Sequence, residues 1–213
     1  MGLLDRFKGI KKLTPLEGYD KWSETYHTEA NPIKRLSDEF IIQNLPGLDG
    51  KRVLDAGCGT GKICLTVVER GAVFVKGIDL SPKMIAEAKK NCPAAEFETG
   101  DLSVDPIKEK FDVVICGLVL GHITSLEPAL TNLTGSLKNN GHLIITDFHP
   151  YQTMNNAKRT FSHFGKTFEV KHTLHPLSEY SEILKRAGID IITLKEPEFN
   201  HTPVIFGIHG VAG

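Results

Sequence analysis

Apolar and polar positions along the chain follow two different periods. Runs typical of buried or half-buried strands occupy residues 52–56, 73–78, 95–98, 111–116 and 142–147. Between them, apolar residues recur every three to four positions, which is the spacing of a helix with one buried face. Strands that alternate with helices in this way predict a parallel sheet with helical crossovers.

Capping residues mark where the predicted helices begin and end. Ser81 is a good N-cap with Pro82 at the first helical position, and Gly71 and Gly188 stop the helices that precede them. We predict helices at residues 62–70, from Ser81 onward, at 126–137 and at 178–187.

Two more strands are predicted near the C-terminus, at residues 189–194 and 204–209, and the loop between them suits an antiparallel hairpin. The predicted fold class is therefore α/β. It is a Rossmann-like, seven-stranded, mostly parallel sheet with an antiparallel last strand and helices on both faces.

Composition narrows the class of protein. The 213 residues are 40% hydrophobic and 24% charged with a net charge of -1, as in one ordinary globular domain, and a near-neutral charge argues against nucleic acid as a partner. Four cysteines without a CxxC pair indicate reduced thiols and a cytoplasmic location. Residues 1–13 could form an amphipathic membrane-surface helix, but we expect a short helix that is packed on the domain or frayed in solvent.

The first predicted strand ends in a glycine-rich turn, within the motif VLDAGCGTG at residues 53–61. Glycines allow tight backbone angles and place a ligand at the N-terminus of the next helix. A P-loop would need glycine at Ala56 and a hydroxyl at Ile63, so that class fails. A dinucleotide loop needs a small residue where Lys62 stands, which weakens that class but leaves it open.

Further segments follow this motif in a fixed order. They are IDLSPKMIAEAK at residues 78–89, the Gly-Asp pair at 100–101, FDVVIC at 111–116 and LKNNGHLIITD at 137–147. Together with the glycine motif they resemble the class I S-adenosylmethionine-dependent methyltransferases, of the small-molecule type that includes ubiquinone and menaquinone methyltransferases. The resemblance covers about residues 50–150, and the C-terminal hairpin fits more loosely.

A cofactor site is expected along the carboxyl ends of the strands. Asp79 ends the second strand, where a carboxylate can accept hydrogen bonds from both ribose hydroxyls. The resemblance implies that Asp55 and the glycine turn hold the methionine end, and that Asp101 faces the adenine amino group. The other implied contacts are Gly57, Cys58 and Gly59 in the turn, Leu80 and Met84 against the adenosine, Gly100 and Leu102 beside the third acid, and Cys116 and Gly117 near the methyl donor.

Aromatic residues precede the first strand of the motif. Tyr19, Trp22 and Tyr26 share one helical face. The segment resembles the N-terminal part of related methyltransferases, in which an aromatic residue covers the sulfonium, and attraction of a cation to an aromatic face gives this a physical basis. The alternative for all three is packing of an N-terminal helix.

Methyl transfer to a weak oxygen nucleophile also needs a base. His149 is our first candidate because it directly follows the fifth strand, and His122 is the second because many relatives carry a Leu-x-His pair there. His163, His172 and His175 are further candidates. The last two could suit a metal, but no other ligands accompany them, so no metal is predicted.

Residues 150–177 interrupt the alternation and are interpreted as a substrate lid, with an ordinary surface excursion as the alternative. The lid offers an apolar set and a basic set of candidate contacts: Phe161, Phe164 and Phe168, and Lys158, Arg159 and Lys166. The single domain then consists of an N-terminal helical cap (1–48), a cofactor-binding core (49–149), the lid (150–177) and a C-terminal helix with a strand hairpin (178–213).

The expected function is methyl transfer from S-adenosylmethionine to an O, N or C nucleophile of a small organic acceptor, with S-adenosylhomocysteine as product. Motifs for amino methylation of nucleobases or glutamine, and for protein arginine methylation, are absent from the sequence. Two alternatives remain open at this point. One is a non-catalytic S-adenosylmethionine-binding module or partner subunit, and the other is a nicotinamide-dependent oxidoreductase.

Overall fold

The computed structural model describes residues 10–27 and 31–213. The strands in these ranges are β1 (Lys11–Leu13), β2 (Arg52–Ala56), β3 (Phe74–Asp79), β4 (Glu96–Thr99), β5 (Phe111–Gly117), β6 (Leu137–Phe148), β7 (Thr160–His163), β8 (Lys166–Val170), β9 (Ile189–Lys195), β10 (Glu198–Phe199), β11 (Thr202–Pro203) and β12 (Ile205–Ala212). The helices are α1 (Pro15–Tyr26), α2 (Pro32–Asn44), α3 (Lys62–Glu69), α4 (Pro82–Asn91), α5 (Leu126–Gly135), α6 (Pro150–Met154) and α7 (Leu177–Arg186), with a 3-10 turn at Leu120–His122.

The main sheet has seven strands in the order β4-β3-β2-β5-β6-β12-β9. The first five are parallel to one another, and β12 runs antiparallel to both β6 and β9. The strand order reverses direction between β2 and β5, which is the topological switch point where ligands bind in open α/β sheets. This confirms the predicted fold class.

Both faces of the sheet are covered by helices because successive residues of its central strands are apolar. In β5, Val114 packs in the cluster that includes α5 and α7, whereas its neighbours Val113 and Ile115 pack in the cluster that includes α2 and α3. Side chains of a strand point alternately to opposite faces, so a continuous apolar run fills both cores. The rigid sheet between these layers fixes the positions of its strand ends.

Local sequence explains how the helices near the site begin. Thr14 and Glu17 form a reciprocal capping box at the start of α1. Asn31 caps α2 by accepting from two backbone N–H groups, and the Ser81 hydroxyl caps α4 by accepting from the N–H of Met84. Each of these helices has proline in its first turn, as capping rules favour.

A second, small sheet has the order β1-β8-β7. Residues 150–177, which interrupt the alternation of strands and helices in the sequence, contain α6 and the antiparallel hairpin of β7 and β8. The expected N-terminal helix was wrong for Lys11–Leu13, which pairs in parallel with β8. Residues 1–9, which carry most of the amphipathic pattern, lie outside the described residues.

The helix predicted at residues 126–137 is longer at its C-terminal end than the observed helix. The helix α5 ends at Gly135, and Leu137 begins β6 by pairing with Phe111, beyond a register shift next to Val113. Leu137 is buried either way, so its apolar character could not distinguish the last turn of a helix from the first residue of a strand.

Within the ranges that the structure describes, every helix is too short or too polar to span a bilayer.

Candidate active site

Two adjoining cavities open at the carboxyl ends of β2, β3 and β5, with volumes of about 480 Å³ and 290 Å³. They meet at the glycine turn and at the end of β5, where both are lined by Tyr26, Gly57, Gly59, Gly117 and Leu118. The two cavities therefore form one divided cleft, which lies at the topological switch point of the sheet.

The glycine turn has a backbone that side chains would not permit. Gly57 has φ 81°, and a Cβ there would lie 2.0 Å from Cγ2 of Val119. The N–H groups of Gly57 and Cys58 both donate to the carbonyl of Ile78, at 2.7 and 3.0 Å. The turn is therefore fixed between the ends of β3 and β5, with no space for a larger residue at position 57.

Asp79 organises the wall between the glycine turn and α4. Its Oδ2 accepts from the N–H of Gly59 and its Oδ1 from the N–H of Ser81, each at 2.9 Å. The carboxylate lines the smaller cavity, and burial raises its pKa above the ordinary aspartate value. Each carboxylate oxygen has a further lone pair with which it can accept a ligand hydroxyl.

Asp101 lies in the same smaller cavity as Asp79. Its Oδ1 accepts from the N–H of Ser103 at 2.8 Å, which fixes the side chain in a local turn. Gly100, Leu80 and Leu102 line this cavity too. The structure thus brings together the residues that the sequence predicted for ribose and adenine.

Asp55 lies in the larger cavity, on the other side of the glycine turn. Only 3% of its surface is exposed, and the Cys64 thiol lies 3.3 Å from its Oδ2 as a hydrogen-bond donor. Burial raises the pKa of this carboxyl to about 7. The predicted residues Cys58 and Gly59 line the larger cavity beside it.

Tyr19 and His122 face the smaller cavity as a hydrogen-bonded pair. The Tyr19 hydroxyl lies 2.9 Å from Nε2 of His122, and Nδ1 of His122 lies 2.9 Å from the carbonyl of Lys171. A carbonyl can only accept, so we assign the proton to Nδ1, and Nε2 then accepts from the phenol. Burial lowers the pKa of His122 to about 4, so the imidazole is neutral at physiological pH.

Three residues predicted to contact the cofactor do not line either cavity. Trp22 stacks on Phe161 of the small sheet, with ring centroids 4.8 Å apart. Met84 and Cys116 are fully buried in the hydrophobic core. Their positions in sequence are close to the cleft, but their side chains point into the protein interior, and the prediction of direct contact is corrected accordingly.

His149 is also absent from the cleft lining, which corrects its prediction as the base. Its Nδ1 accepts from the N–H of Tyr151 and caps α6, and its Nε2 lies 2.8 Å from Oε1 of Glu196. Both ring nitrogens are therefore occupied in local structure. His175 is engaged in the same way, by Glu179 and the carbonyl of Ile123.

The three phenylalanines predicted as apolar contacts of the lid, Phe161, Phe164 and Phe168, have different surroundings in the structure. Phe161 is buried between Trp22 and Phe168 in a small hydrophobic core under the hairpin of β7 and β8. Phe164 is 85% exposed at the hairpin turn and lines neither cavity of the cleft. Two of the three phenylalanines thus hold the hairpin of β7 and β8 to α1.

Sequence reasoning missed part of the lining. Leu118 borders both cavities in a left-handed conformation, φ 60°, which a non-glycine residue rarely adopts and which often marks a functional site. The larger cavity is also lined by polar residues at the start of α2: Asn31, Lys34, Arg35, Ser37 and Asp38. The Asn-Pro capping signal at 31–32 could have located this helix start, though not its contact with the glycine turn.

Within residues 10–27 and 31–213, no group of three or more His, Cys, Asp or Glu side chains is arranged to hold a metal ion. All four cysteines are free and buried.

Comparison with known families agrees with this geometry. The family model described as a methyltransferase domain matches residues 48–193, from the segment before β2 into β9. The chain belongs to this methyltransferase family.

Individual relatives of this methyltransferase are consistent with the match. An uncharacterised protein of Haemophilus influenzae is 30% identical over 173 residues, which are 75% of this chain and 68% of that one. A ubiquinone biosynthesis O-methyltransferase of Neisseria meningitidis is 27% identical over 201 residues, 83% of this chain and 79% of the relative. The solved structure of a TehB-like SAM-dependent methyltransferase from Corynebacterium glutamicum is 25% identical with a TM-score of 0.64, over 90% of this chain and 98% of that chain.

The protein is thus a class I methyltransferase that depends on S-adenosylmethionine, and the oxidoreductase and non-catalytic alternatives are set aside. The cleft fits this cofactor because its two halves offer different chemistry. The smaller half has two carboxylates beside leucine side chains, which suit a ribose and an adenine. The larger half has a buried carboxyl, which suits the ammonium of the methionyl part.

Proposed function

We propose that this methyltransferase acts on a small organic acceptor. The size of the cleft supports this proposal more than any other observation. Its two cavities, about 480 Å³ and 290 Å³, are comparable to pockets that bind drug-sized ligands, roughly 300–1,000 Å³. The ubiquinone biosynthesis relative, whose name indicates a small acceptor, supports the same proposal.

Within this proposal, the adenosyl part of the cofactor binds in the smaller cavity. Asp79 accepts from the ribose hydroxyls, Asp101 accepts from the adenine amino group, and Leu80 and Leu102 contact the apolar faces. Two observations support these roles: all four side chains line one cavity, and Asp79 is already held by two backbone N–H groups. A carboxylate fixed in advance loses little freedom when it binds.

The methionyl part is assigned to the larger cavity, next to Asp55 and the glycine turn. Tyr26 lines both cavities and packs against Trp22, with ring centroids 4.9 Å apart. We therefore assign Tyr26, and not Trp22, to the aromatic contact with the positively charged sulfur. When bound, the cofactor supplies an electrophilic methyl group, and the chain's task is to hold the acceptor in line with it.

The Tyr19–His122 pair is assigned to positioning the acceptor. With its proton donated to Nε2 of His122, the phenol oxygen keeps lone pairs with which it can accept a hydrogen bond from an acceptor hydroxyl or amine. The low pKa of His122 makes it a weak base, so we infer that it orients Tyr19 rather than removing a proton from the acceptor.

The proposal is tested by following a radioactive methyl group. The protein is incubated with methyl-labelled S-adenosylmethionine and a whole-cell extract that has been separated into a low-molecular-mass fraction and a protein fraction. We expect a labelled product distinct from S-adenosylmethionine in the low-molecular-mass fraction and no label in the protein fraction. Label in the protein fraction alone would overturn the small-acceptor proposal while leaving methyltransferase activity intact.

Two variants make the experiment specific to the cleft. The Asp79→Ala substitution should remove the transfer, because it takes away a carboxylate that lines the cofactor cavity. The Asp190→Ala substitution makes the same chemical change at an exposed position on β9 and should leave the transfer unchanged. Equal loss in both variants would show that the label does not report on the cleft.

A further inference from the structure

Cys64 lies in the first turn of α3, directly behind the glycine turn. Side chains of a helix tilt toward its N-terminus, so the thiol of Cys64 reaches back toward the end of β2. Its Sγ lies there 3.3 Å from Oδ2 of Asp55 and donates a hydrogen bond to it. Cys64 is fully buried, whereas Asp55 lines the larger cavity. The thiol therefore contacts a carboxylate of the cleft from the interior of the protein.

This thiol has a particular place among the groups that act on Asp55. Within residues 10–27 and 31–213, no other side chain donates a hydrogen bond to the Asp55 carboxylate. Burial raises the pKa of Asp55 most strongly, and the negative charges of Asp79 and Asp38 raise it further. The thiol and the backbone N–H of Cys64 lower this pKa, because both donate to the ionised form.

The direction of the hydrogen bond follows from the state of the thiol. Contact with the Cys58 thiol and burial raise the pKa of Cys64 well above the ordinary cysteine value, and the charge of Asp55 raises it further. The thiol therefore keeps its proton at neutral pH and acts as the donor, with the carboxylate of Asp55 as the acceptor.

Other ionisable groups around the larger cavity are engaged elsewhere. Besides Asp38 and Cys58, the titratable residues that line it are Tyr26, His27, Lys34, Arg35 and Lys62. Of the basic ones, Lys62 pairs with Asp38 at 2.6 Å, Arg35 pairs with Glu39 at 3.1 Å, and Lys34 donates to the carbonyl of Tyr26 at 2.5 Å. In the part of the chain that the structure describes, Asp55 thus depends on Cys64 for its side-chain partner.

We propose that Cys64 is a positioning residue for cofactor binding, whose thiol keeps the Asp55 carboxylate ionised and orients it toward the ammonium of the methionyl part. This inference rests on the proposed function, since it concerns the acid that was assigned to that ammonium. A carboxylate held by one donor from behind keeps further lone pairs for a ligand. Because an ionised carboxylate binds an ammonium more strongly than a neutral one, the thiol should raise the affinity for the cofactor where Asp55 titrates.

The proposal is tested by titration calorimetry with S-adenosylhomocysteine at pH 6.0 and pH 8.5. The Cys64→Ala variant removes the thiol donor and keeps the backbone N–H. Loss of this weak donor should make the ionisation of Asp55 about tenfold less favourable. Since the pKa of Asp55 is about 7 in the unaltered protein, the variant should bind about eightfold more weakly at pH 6.0 and less than about twofold more weakly at pH 8.5.

Three variants distinguish positioning of Asp55 from general packing. Cys64→Ser keeps a hydroxyl donor and should bind within about twofold of the unaltered protein at both pH values. Cys92→Ala truncates another fully buried cysteine, at the end of α4, and should leave the affinity unchanged. When Asp55→Asn is already present, adding Cys64→Ala should change the affinity less than about twofold, because its effect passes through Asp55. A loss of packing alone would weaken binding equally at both pH values.

Infrared spectroscopy tests the same contact in the unaltered protein. The S–H stretching band of Cys64 is identified as the band that disappears in the Cys64→Ser variant. We expect this band to move to lower frequency as the pH rises from 5.5 to 8.5, because the ionised Asp55 is a stronger acceptor than the neutral one.

The proposal is overturned if Cys64→Ala loses no affinity at pH 6.0, if its loss is equal at the two pH values, or if the S–H band does not respond to pH. Such a result leaves the proposed function standing when Asp55→Asn still binds more weakly and labelled product still appears in the low-molecular-mass fraction. An Asp55→Asn variant that binds as tightly as the unaltered protein would instead contradict the assignment of Asp55 itself, and the two failures are therefore distinguishable.

Discussion

We predict that Asp55 makes the affinity for the cofactor depend on pH near neutrality, where an ordinary surface carboxylate is already fully ionised. Burial raises its pKa to about 7 in the free protein, so about half of the molecules carry a neutral Asp55 at pH 7. If Asp55 binds the ammonium group of the cofactor, the complex favours the ionised carboxylate, and its pKa falls toward about 4. Binding then releases a proton at any pH between these two values.

The size of the effect follows from the two pKa values. Because the free protein is protonated below about pH 7 and the complex is not, affinity decreases as the pH falls through that value. Between pH 7.5 and 5.5 the linkage relation gives a loss of affinity of about 25-fold, and most of one proton is released at pH 6.5. Above pH 7.5 this contribution changes the affinity by only about 1.3-fold more.

Titration calorimetry with S-adenosylhomocysteine measures both quantities. The dissociation constant is determined from pH 5.5 to 7.5, and the number of protons released is obtained at pH 6.5 from buffers with different heats of ionisation. The Asp55→Asn variant should bind more weakly and release no proton. An affinity of the unaltered protein that stays constant over this range, with no proton released, would refute the assignment of Asp55 to the ammonium group.

Three further predictions concern single residues of the cleft. Asp79→Ala should weaken S-adenosylhomocysteine binding about a hundredfold or more. Because the carboxylate of Asp79 also accepts from two backbone N–H groups, the substitution should lower the free energy of unfolding by about 1–3 kcal/mol. Calorimetry measures the affinity and urea unfolding the stability, and an unchanged affinity would exclude the ribose role. Gly57→Ala should destabilise the protein by about 2–6 kcal/mol, because the new Cβ adds a steric clash to the strain of positive φ. The control Gly165→Ala also has positive φ but open space around the new Cβ, and it should destabilise the protein by about 1–2 kcal/mol. Equal losses of stability in urea unfolding would mean that the clash at position 57 is relieved. His122 should remain a neutral Nδ1–H tautomer at pH 6, because its pKa is about 4; imidazolium nitrogen resonances at that pH would contradict the hydrogen-bond assignment.

The acids of the cleft could be predicted from the sequence because their positions depend on local pattern. Asp55, Asp79 and Asp101 each end or closely follow a predicted strand, and the carboxyl ends of parallel strands meet at one edge of a sheet. Assigning the strands was therefore enough to bring these acids into one cleft. The same reasoning placed Gly57 and Gly59 at the turn, where the structure requires positive φ.

Sequence position was a poorer guide to side-chain direction. Met84 and Cys116 belong to segments that border the cleft, yet the helix and strand that carry them point these side chains into the core. A shift of one residue along a strand or helix changes the face on which a side chain lies, and a family motif does not record that choice. His149 was misassigned for a related reason, since the helix that it caps and Glu196 lie outside the predicted core.

By itself, the sequence determined the α/β fold, the glycine turn and the carboxylates that follow it, because hydrophobic period and turn chemistry act over a few residues. Only the tertiary structure decided that Lys11–Leu13 pairs with β8, that Trp22 packs on Phe161, and that Tyr19 lies within hydrogen-bond distance of His122. These features join segments more than a hundred residues apart. Their outcome depends on how whole elements pack, and no local pattern in the chain encodes it.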